Sequence, residues 1–301
     1  MTDVPPCFME FTRPPKKNFY LPATAALILL ACVLAARASL ESRLIYPGAA
    51  TQGRPDALIR PGGDCELVAL RSRDGTRITA RFGRALGPGG LPEPDSRRRP
   101  TVIFFYGNGT CAAFMGAEFG RFRQLGLNVL MPDFPGYGMS GGRPSERGLY
   151  AAGDAAYDYL QTRADVDPGR IVLAGWSMGA AVAVDLASRR RPLALMTVSA
   201  FTTLPAVAHS LVPWFPASLI IRSRFDNLAK MARVSCPVLI AHGSRDRLVP
   251  PAMACVLASA ARGGATTFQV PGAGHADVFS AANGALWNGF AAFLGRLKPG
   301  I

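Results

Sequence analysis

Six short apolar runs, separated by longer stretches of helical character, constrain the fold of this chain more than any other feature of its sequence. They are rich in Val, Ile, Leu and Phe and do not alternate with polar residues. The runs are Thr101–Tyr106, Leu127–Met131, Arg170–Ala174, Leu193–Val198, Pro237–Ala241 and Thr266–Val270. Such runs are typical of strands buried on both faces, as in a parallel sheet.

Helical stretches follow most of these runs, and two further strand candidates precede them. The helical stretches are Cys111–Leu125, Ser145–Arg163, Met178–Arg190, Pro251–Arg262 and Ala276–Leu297. Alternation of strand and helix predicts a doubly wound α/β domain. Together with the candidates Cys65–Arg71 and Thr76–Phe82, it predicts a mostly parallel eight-stranded sheet with helices on both faces.

One interval between two runs, from Ser199 to Cys236, is longer than a simple crossover needs. We therefore expect an extra element there, a small lid at about residues 200–235 that includes the cluster Pro213-Trp214-Phe215-Pro216. The sequence shows no internal repeat, so residues 64–301 are predicted to form one domain.

Composition excludes several classes of protein. Apolar residues make up 49% of the chain and charged residues 18%, which excludes disorder as the main state. The three His and six Cys form no zinc-binding pattern, so we expect no metal. The net charge of +13 comes with no nucleic-acid module, so no nucleic-acid partner is predicted. No nucleotide-binding glycine motif follows a strand, and we expect no cofactor.

The N-terminal part contains an uncharged apolar stretch between Lys17 and Arg37. As a helix it would be about 28 Å long, close to the hydrocarbon thickness of a bilayer, and basic residues precede it. We predict a basic segment at 1–18, a transmembrane anchor at 19–36 and a tether at 37–63, with the following domain on the non-cytoplasmic side (periplasm or lumen). A signal peptide cleaved at Ala36-Arg37-Ala38, followed by secretion, is the alternative.

A candidate nucleophile lies in the turn between one of the predicted strands and the next helix. The segment Gly175-Trp176-Ser177-Met178-Gly179 has the pattern G-x-S-x-G, in which glycines permit a strained turn that exposes the serine hydroxyl. A second match, Gly138-Met139-Ser140-Gly141-Gly142, leads into another turn and not directly into a helix. Context therefore selects Ser177 over Ser140.

A serine nucleophile needs a base and an acid that orients the base. Three acids lie between Ser177 and the last histidine, His275, and they are Asp185, Asp226 and Asp246. Asp185 falls inside a helix and Asp226 is explained as a helix N-cap, whereas Asp246 lies just beyond a predicted strand. We predict Ser177 as nucleophile, His275 as base and Asp246 as orienting acid. His242 is interpreted as structural, and His209 has no acid nearby in the sequence.

The remaining candidates would stabilise charge or contact substrate. The amide after the nucleophile, that of Met178, and an amide in the loop Gly107-Asn108-Gly109 are the predicted oxyanion donors, with Asn108 preferred to Gly109. Aromatic side chains are predicted to line or cover the cleft, and the set is Tyr106, Trp176, Trp214 and Phe215. Phe104 and Phe105 are further candidates that alternate faces, so one of them can be plain core.

Five segments in chain order resemble the α/β-hydrolase family. They are residues 104–109, Asp133-Phe134-Pro135-Gly136-Tyr137-Gly138-Met139-Ser140, the Ser177 turn, the Asp246 segment and the His275 segment, and together they span roughly residues 64–297. More narrowly, the chain resembles the membrane-anchored, small-lid branch of ABHD-type depalmitoylases and serine aminopeptidase-like hydrolases. Leu44-Ile45-Tyr46-Pro47 and residues 199–204 resemble that branch too. Tyr106 replaces the usual His of the family, and Pro135 the usual Arg.

The resemblance implies a serine hydrolase, and family members act on varied esters, thioesters and amides. We expect this chain to cleave small-molecule or lipidic acyl esters or thioesters through an acyl-enzyme. The lid segment before Asp226 contains no acidic residue, which favours neutral acyl substrates over peptides. The alternatives are an inactive binding or scaffold protein with the same fold and a serine peptidase.

Overall fold

The computed structural model describes residues 26–28, 43–60, 62, 64–214 and 216–297. The chain divides into two units, Met1–Leu40 and Glu41–Ile301. In the first unit, Ala26, Leu27 and Ile28 are described, and they are helical. All elements named below belong to the second unit.

A single eight-stranded sheet organises the described part of the second unit, in the order β1-β2-β4-β3-β5-β6-β7-β8. Strands β1 to β8 are Cys65–Arg71, Arg77–Gly83, Thr101–Phe105, Asn128–Pro132, Ile171–Trp176, Ala194–Val198, Val238–Gly243 and Ala265–Val270. β2 pairs antiparallel with β1 and β4, and every other pairing in the sheet is parallel. The predicted mostly parallel, eight-stranded sheet is confirmed.

Helices connect the strands and cover the sheet. In the described part, helices α1 to α8 are Gly116–Gln124, Glu146–Thr162, Met178–Ala187, Leu204–Leu211, Ala217–Ile220, Asn227–Met231, Ala252–Ala260 and Ala285–Arg296. Short 3₁₀ turns lie at Pro47–Thr51, Pro55–Ala57, Ser96–Arg98, Ala112–Phe114, Pro168–Arg170 and Ala282–Gly284.

The strand order places helices on both faces of the sheet. The connection from β3 to β4 runs across the sheet in the opposite direction to the later ones, and right-handed crossovers then put α1 on the face opposite α2 and α3. On the α1 face, the ring of Phe122 lies 5.1 Å from Trp287 and 5.8 Å from Phe290 of α8. On the other face, every residue of α3 is buried, as expected for an apolar helix between a sheet and neighbouring helices.

Two predicted helices begin later than expected. The stretch predicted from Ala276 becomes helical at Ala285, because Asp277 first closes a turn by accepting the amide of Gly274 and because Asn283 has a positive φ of 51°. The stretch predicted from Cys111 starts with a 3₁₀ turn, and α1 begins after the non-helical Met115.

The interval between β6 and β7 carries the extra element that its length predicts. It contains the three short helices α4, α5 and α6. Asp226 caps α6 by accepting the amide of Ala229, as expected. That this segment acts as a lid stays a prediction.

The segment predicted as the end of a tether is packed into the second unit. Residues 43–60, which we call the strap, bury the side chains of Ile45, Tyr46, Ala57 and Ile59 in the hydrophobic core. Burial of these apolar side chains stabilises the attachment. The second unit accordingly begins at Glu41, before the predicted domain start at residue 64.

The predicted membrane anchor, residues 19–36, lies outside the described residues apart from Ala26, Leu27 and Ile28, and the basic segment 1–18 lies outside them altogether. Across the residues that the structure does describe, no helix combines the length and the apolar character that a bilayer crossing requires. On this finding the prediction of a single-pass membrane protein with its domain on the non-cytoplasmic side is wrong, and we withdraw it.

Candidate active site

Ser177 lies in a strained turn between β5 and α3. Its backbone angles are φ 54° and ψ −117°, which residues other than glycine rarely adopt. Its amide donates to the carbonyl oxygen of Val198 at the end of β6. The flanking glycines are required by close approach: a Cβ on Gly175 would collide with the carbonyl of Gly179, and a Cβ on Gly179 would collide with the carbonyl of Phe105. The two glycines of the G-x-S-x-G pattern thus allow the Ser177 turn to pack closely against the ends of β3 and β6.

The structure brings the three predicted triad residues together. Nε2 of His275 lies 3.0 Å from Oγ of Ser177, and Nδ1 of His275 lies 2.8 Å from Oδ2 of Asp246. A carboxylate accepts, so Nδ1 carries the proton and Nε2 is left to accept a proton from the serine hydroxyl. This tautomer is the one that a general base next to a serine requires.

Asp246 is buried and held in its charged form. Its Oδ1 accepts the amides of Leu248 and Val249, and its Oδ2 accepts from His275. Burial by itself raises the pKa of Asp246, but hydrogen bonds from His242, His275 and Val249 outweigh it and hold the pKa well below its usual range. The carboxylate beside Nδ1 of His275 is therefore ionised at neutral pH.

His242 has the structural position that was predicted for it. Its ring is buried, and its Nε2 lies 2.9 Å from the carbonyl oxygen of Val249 and 3.4 Å from Oδ2 of Asp246. The ring thus supports the short loop that carries Asp246. His209, on α4, is exposed.

The rejected serine and acid have structural partners elsewhere. Oγ of Ser140 accepts the amide of Thr79 and donates to the carbonyl of Asp133. Asp185 forms ion pairs with Arg189 and Lys230. Neither side chain is available to the Ser177 site.

Three backbone amides predicted as candidate oxyanion donors have no acceptor among the described residues. Met178 is the first residue of α3, and its N–H points to no acceptor among the described residues. The N–H groups of Asn108 and Gly109, in the loop after β3, also donate to no acceptor among the described residues. A helix N-terminus favours negative charge, so this pair of loops offers a site for an oxyanion.

The predicted substrate-lining aromatic residues fall into different environments. Trp176 is half-buried, with its ring 5.8 Å from that of His275 and edge-to-face with Phe279 at 5.6 Å. Trp214 is 84% exposed in the lid segment, and Phe215 lies outside the described residues. Trp176 therefore lies beside His275.

Tyr106 does not line the cleft in this structure. Its side chain is fully buried, and its hydroxyl donates to Oδ1 of Asp133 at 2.8 Å while accepting the amide of Phe134. The interior position follows from this bond, which ties the end of β3 to the end of β4. Phe104 and Phe105 are both buried in the core.

Two buried groups, one beside Trp176 and one behind the loop after β3, were not predicted from the sequence. Phe279 packs between Trp176 and Phe104, and it was hidden inside a predicted helix. Asp133 is buried with its carboxylate accepting Tyr106 and the amides of Ala112 and Met139. Burial raises the pKa of Asp133 to about 6. The signal for Asp133 was its place directly after a central strand.

Comparison with known proteins gives consistent matches. Residues 102–230 match the model of the alpha/beta hydrolase family. The chain is 36% identical over 259 residues to an uncharacterized protein, Rv2307c, of Mycobacterium tuberculosis, which covers 85% of this chain and 88% of that protein. It is 31% identical over 216 residues to alpha/beta hydrolase domain-containing protein 17B of Xenopus tropicalis, covering 71% and 70%.

Solved structures share the fold at low sequence identity. The esterase Pf2001 of Pyrococcus furiosus superposes with a TM-score of 0.65 at 17% identity, covering 80% of this chain and 96% of that one. Est1E of Butyrivibrio proteoclasticus, solved with ferulic acid, superposes with a TM-score of 0.65 at 18% identity, covering 76% and 99%.

Proposed function

Because this chain belongs to the α/β-hydrolase family, we propose that it is a serine hydrolase that cleaves acyl esters or thioesters through an acyl-enzyme. One observation carries the proposal. The side chains of Ser177, His275 and Asp246 form a continuous chain of hydrogen bonds of 3.0 and 2.8 Å, although they come from three separate loops. A binding module or scaffold needs no such arrangement.

The proposed first step is acylation. Oγ of Ser177 attacks the acyl carbonyl carbon while Nε2 of His275 takes the hydroxyl proton, and the ionised Asp246 stabilises the imidazolium. The negative charge that develops on the carbonyl oxygen is stabilised by the N–H groups of Met178 and Asn108. His275 then protonates the departing alcohol or thiol, which leaves the acyl group on Ser177.

The second step is hydrolysis of the acyl-enzyme. Water replaces the leaving group, His275 takes its proton, and the same two amides stabilise the second oxyanion. Collapse of that intermediate releases the carboxylic acid and returns the proton from His275 to Ser177. No atom beyond the substrate, water and these residues is needed to balance the reaction.

Neutral acyl substrates fit the surroundings of the site best. The rings of Trp176 and Phe279 give the side next to His275 an apolar surface. The lid segment before Asp226 offers no carboxylate to a cationic amine. The fold is shared with a solved esterase, which favours ester cleavage among the reactions of the family.

A panel of p-nitrophenyl esters from short to long acyl chains, together with an aminopeptidase substrate, tests the proposal. The full chain should hydrolyse at least one ester with a kcat/KM above that for the aminopeptidase substrate, and Ser177→Ala should not. Ser140→Ala is the matched control and should retain activity if it folds. A higher kcat/KM for the aminopeptidase substrate would instead identify a peptidase, and no turnover of any substrate would favour the scaffold alternative.

A further inference from the structure

The strap, residues 43–60, contacts the loop after β3 at the residue proposed to donate to the oxyanion. We infer that Ile45 and Gly48 of the strap are positioning residues that orient the N–H of Asn108 for catalysis. The inference rests on the proposed function, and it gives a role to a segment outside the sheet and its covering helices.

Three hydrogen bonds hold Asn108. The amide of Gly48 donates to the carbonyl oxygen of Asn108 at 2.8 Å, and Nδ2 of Asn108 donates to the carbonyl oxygen of Ile45 at 3.0 Å. The hydroxyl of Tyr137 donates to the same Asn108 oxygen at 3.1 Å. The carbonyl and the side-chain NH₂ of Asn108 are thus engaged away from the reaction. Its backbone N–H is left without an acceptor among the described residues.

Gly48 permits this contact because it has no side chain. A Cβ at this position would collide with the ring of Tyr137 and would lie 2.6 Å from the carbonyl oxygen of Asn108. Gly48 does not have a positive φ, so the glycine is required by close approach and not by a turn. Any side chain here must displace the Tyr137 ring, the Asn108 peptide or the strap itself.

The strap is anchored beyond this contact, so it resists displacement. The amide of Gly53 donates to the carbonyl of Gly138 at 3.0 Å, and Oγ1 of Thr51 accepts the Gly138 amide at 3.0 Å. Gln52 adds a third hydrogen bond, in which its Nε2 donates to the carbonyl oxygen of Ser140 at 2.8 Å. These bonds tie the strap to the loop after β4.

The strap also contacts the lid segment, through Tyr46. The ring of Tyr46 lies edge-to-face against Phe225 at 6.5 Å, and its hydroxyl is 3.1 Å from Oγ of Ser223. The strap is therefore held on both sides of Gly48. An oxyanion hole depends on donors fixed in advance, and the glycine-rich loop around Asn108 has little rigidity of its own.

The test compares Gly48→Ala with Gly62→Ala in the full chain. Gly62 is the matched control, because a Cβ there would meet no atom of the described residues within 4 Å. The readout is kcat and KM for a p-nitrophenyl ester and for the matching thionoester, in which sulfur replaces the carbonyl oxygen. A hole shaped for oxygen favours the ester, so the ratio of the two kcat/KM values reports the hole itself, whereas a general loss of folded enzyme lowers both values equally.

Gly48→Ala should lower the ester kcat by about 100-fold with little change in KM, because displacement of a catalytic donor by about 1 Å has an effect of this size. The ratio of ester to thionoester should fall as well. Gly62→Ala should change neither quantity.

Asn108→Ala supplies a second variant in case Gly48→Ala does not fold. It keeps the backbone N–H and removes only the tie to Ile45, so a fall in the ratio would show that the strap orients the donor. Ester turnover with a wild-type ratio in the folded variants would overturn this inference alone. Absence of turnover in the wild-type chain would refute the proposed function and the inference that rests on it.

Discussion

The two halves of the site, the Ser177 turn and the Asn108 loop, are held in place by different parts of the molecule. Ser177 is bonded to the end of β6 through Val198, and Gly179 lies directly against the carbonyl of Phe105 in β3. Asn108 is bonded instead to Ile45 and Gly48 of the strap. One half is therefore supported by central strands, and the other by a segment that precedes the first strand.

The sheet therefore does not by itself hold both loops in place. The nucleophile half is packed against neighbouring strands, so a side chain added at Gly175 or Gly179 would disturb the core. The Asn108 half, in which we propose an oxyanion donor, is bonded instead to a segment outside the sheet, so a change there can leave the central strands in place. The two halves should consequently respond differently to mutation.

The largest effect is expected in the nucleophile half. Ser177→Ala and His275→Ala should each lower kcat by about 10⁴-fold or more, and the double variant should be scarcely worse, because the residues act as a unit. Steady-state kinetics on the best p-nitrophenyl ester measures this. Additive losses in the double variant would contradict the proposal that the two residues act together.

The stability of two glycine variants sharpens the contrast. Gly179→Ala forces a Cβ into the backbone of β3 and should destabilise the fold by about 1 to 3 kcal/mol or more. Gly48→Ala should cost less, because the strap lies at the periphery of the sheet. Thermal or urea unfolding of both variants decides the point. Equal losses in the two variants would remove the proposed difference between the halves.

Buried carboxylates behind the two halves should have opposite effects on stability as pH changes. Asp246, the acid of the proposed triad, has a pKa held below its ordinary value of about 4, so its contribution is present above pH ~4 and is lost as pH falls further. Asp133, behind the Asn108 loop, has its pKa raised by burial to about 6. Its folded state retains a proton that the unfolded state has lost, so its contribution is present below pH ~4 and is lost as pH rises through about 6.

Asp133→Asn tests this difference. The variant should lack a decrease in unfolding free energy on the order of 2 kcal/mol that Asp133 causes between about pH 4 and 6. Asp226→Asn, which preserves an N-cap oxygen, is the control and should keep the wild-type slope. Unfolding measured across this pH range reports the slope, and an unchanged slope in Asp133→Asn would show that Asp133 does not take up a proton there.

The smallest effect is expected from Tyr137→Phe. The variant removes one of the two donors to the Asn108 carbonyl and leaves the bond from Gly48 in place. A single neutral hydrogen bond of this kind contributes about 0.5 to 1.5 kcal/mol, so kcat should fall about two- to tenfold with KM nearly unchanged. A loss as large as that in Gly48→Ala would assign the positioning role to Tyr137 and not to the strap.

The sequence predicts the sheet and the Ser177 turn well because both have local signals. Buried strands are written as unbroken apolar runs, and the turn carries glycines on both sides of the serine. Asp246 and His275 could be chosen by elimination, since few acids and histidines follow Ser177. Their hydrogen bonds needed the structure, because the three loops are brought together only by the strand order.

The features that were missed depend on contacts between distant segments. Ile45 and Gly48 meet Asn108 some 60 residues later, and nothing in the local pattern of a Pro- and Gly-rich segment predicts that packing. Tyr106 was assigned to the cleft because aromatic residues often line one, whereas its hydroxyl bonds to Asp133 in the interior. The late start of α8 follows from the turn at Asp277.

Labelling with a fluorophosphonate probe shows whether Ser177 is an activated nucleophile, because the probe reacts with a serine only when a base activates its hydroxyl. The full chain would be treated with the probe, digested and analysed by peptide mass spectrometry, with Ser177→Ala in parallel. We expect one labelled peptide, modified at Ser177, and no label in the variant. A well-folded chain that stays unlabelled, or one labelled at Ser140, would contradict this expectation.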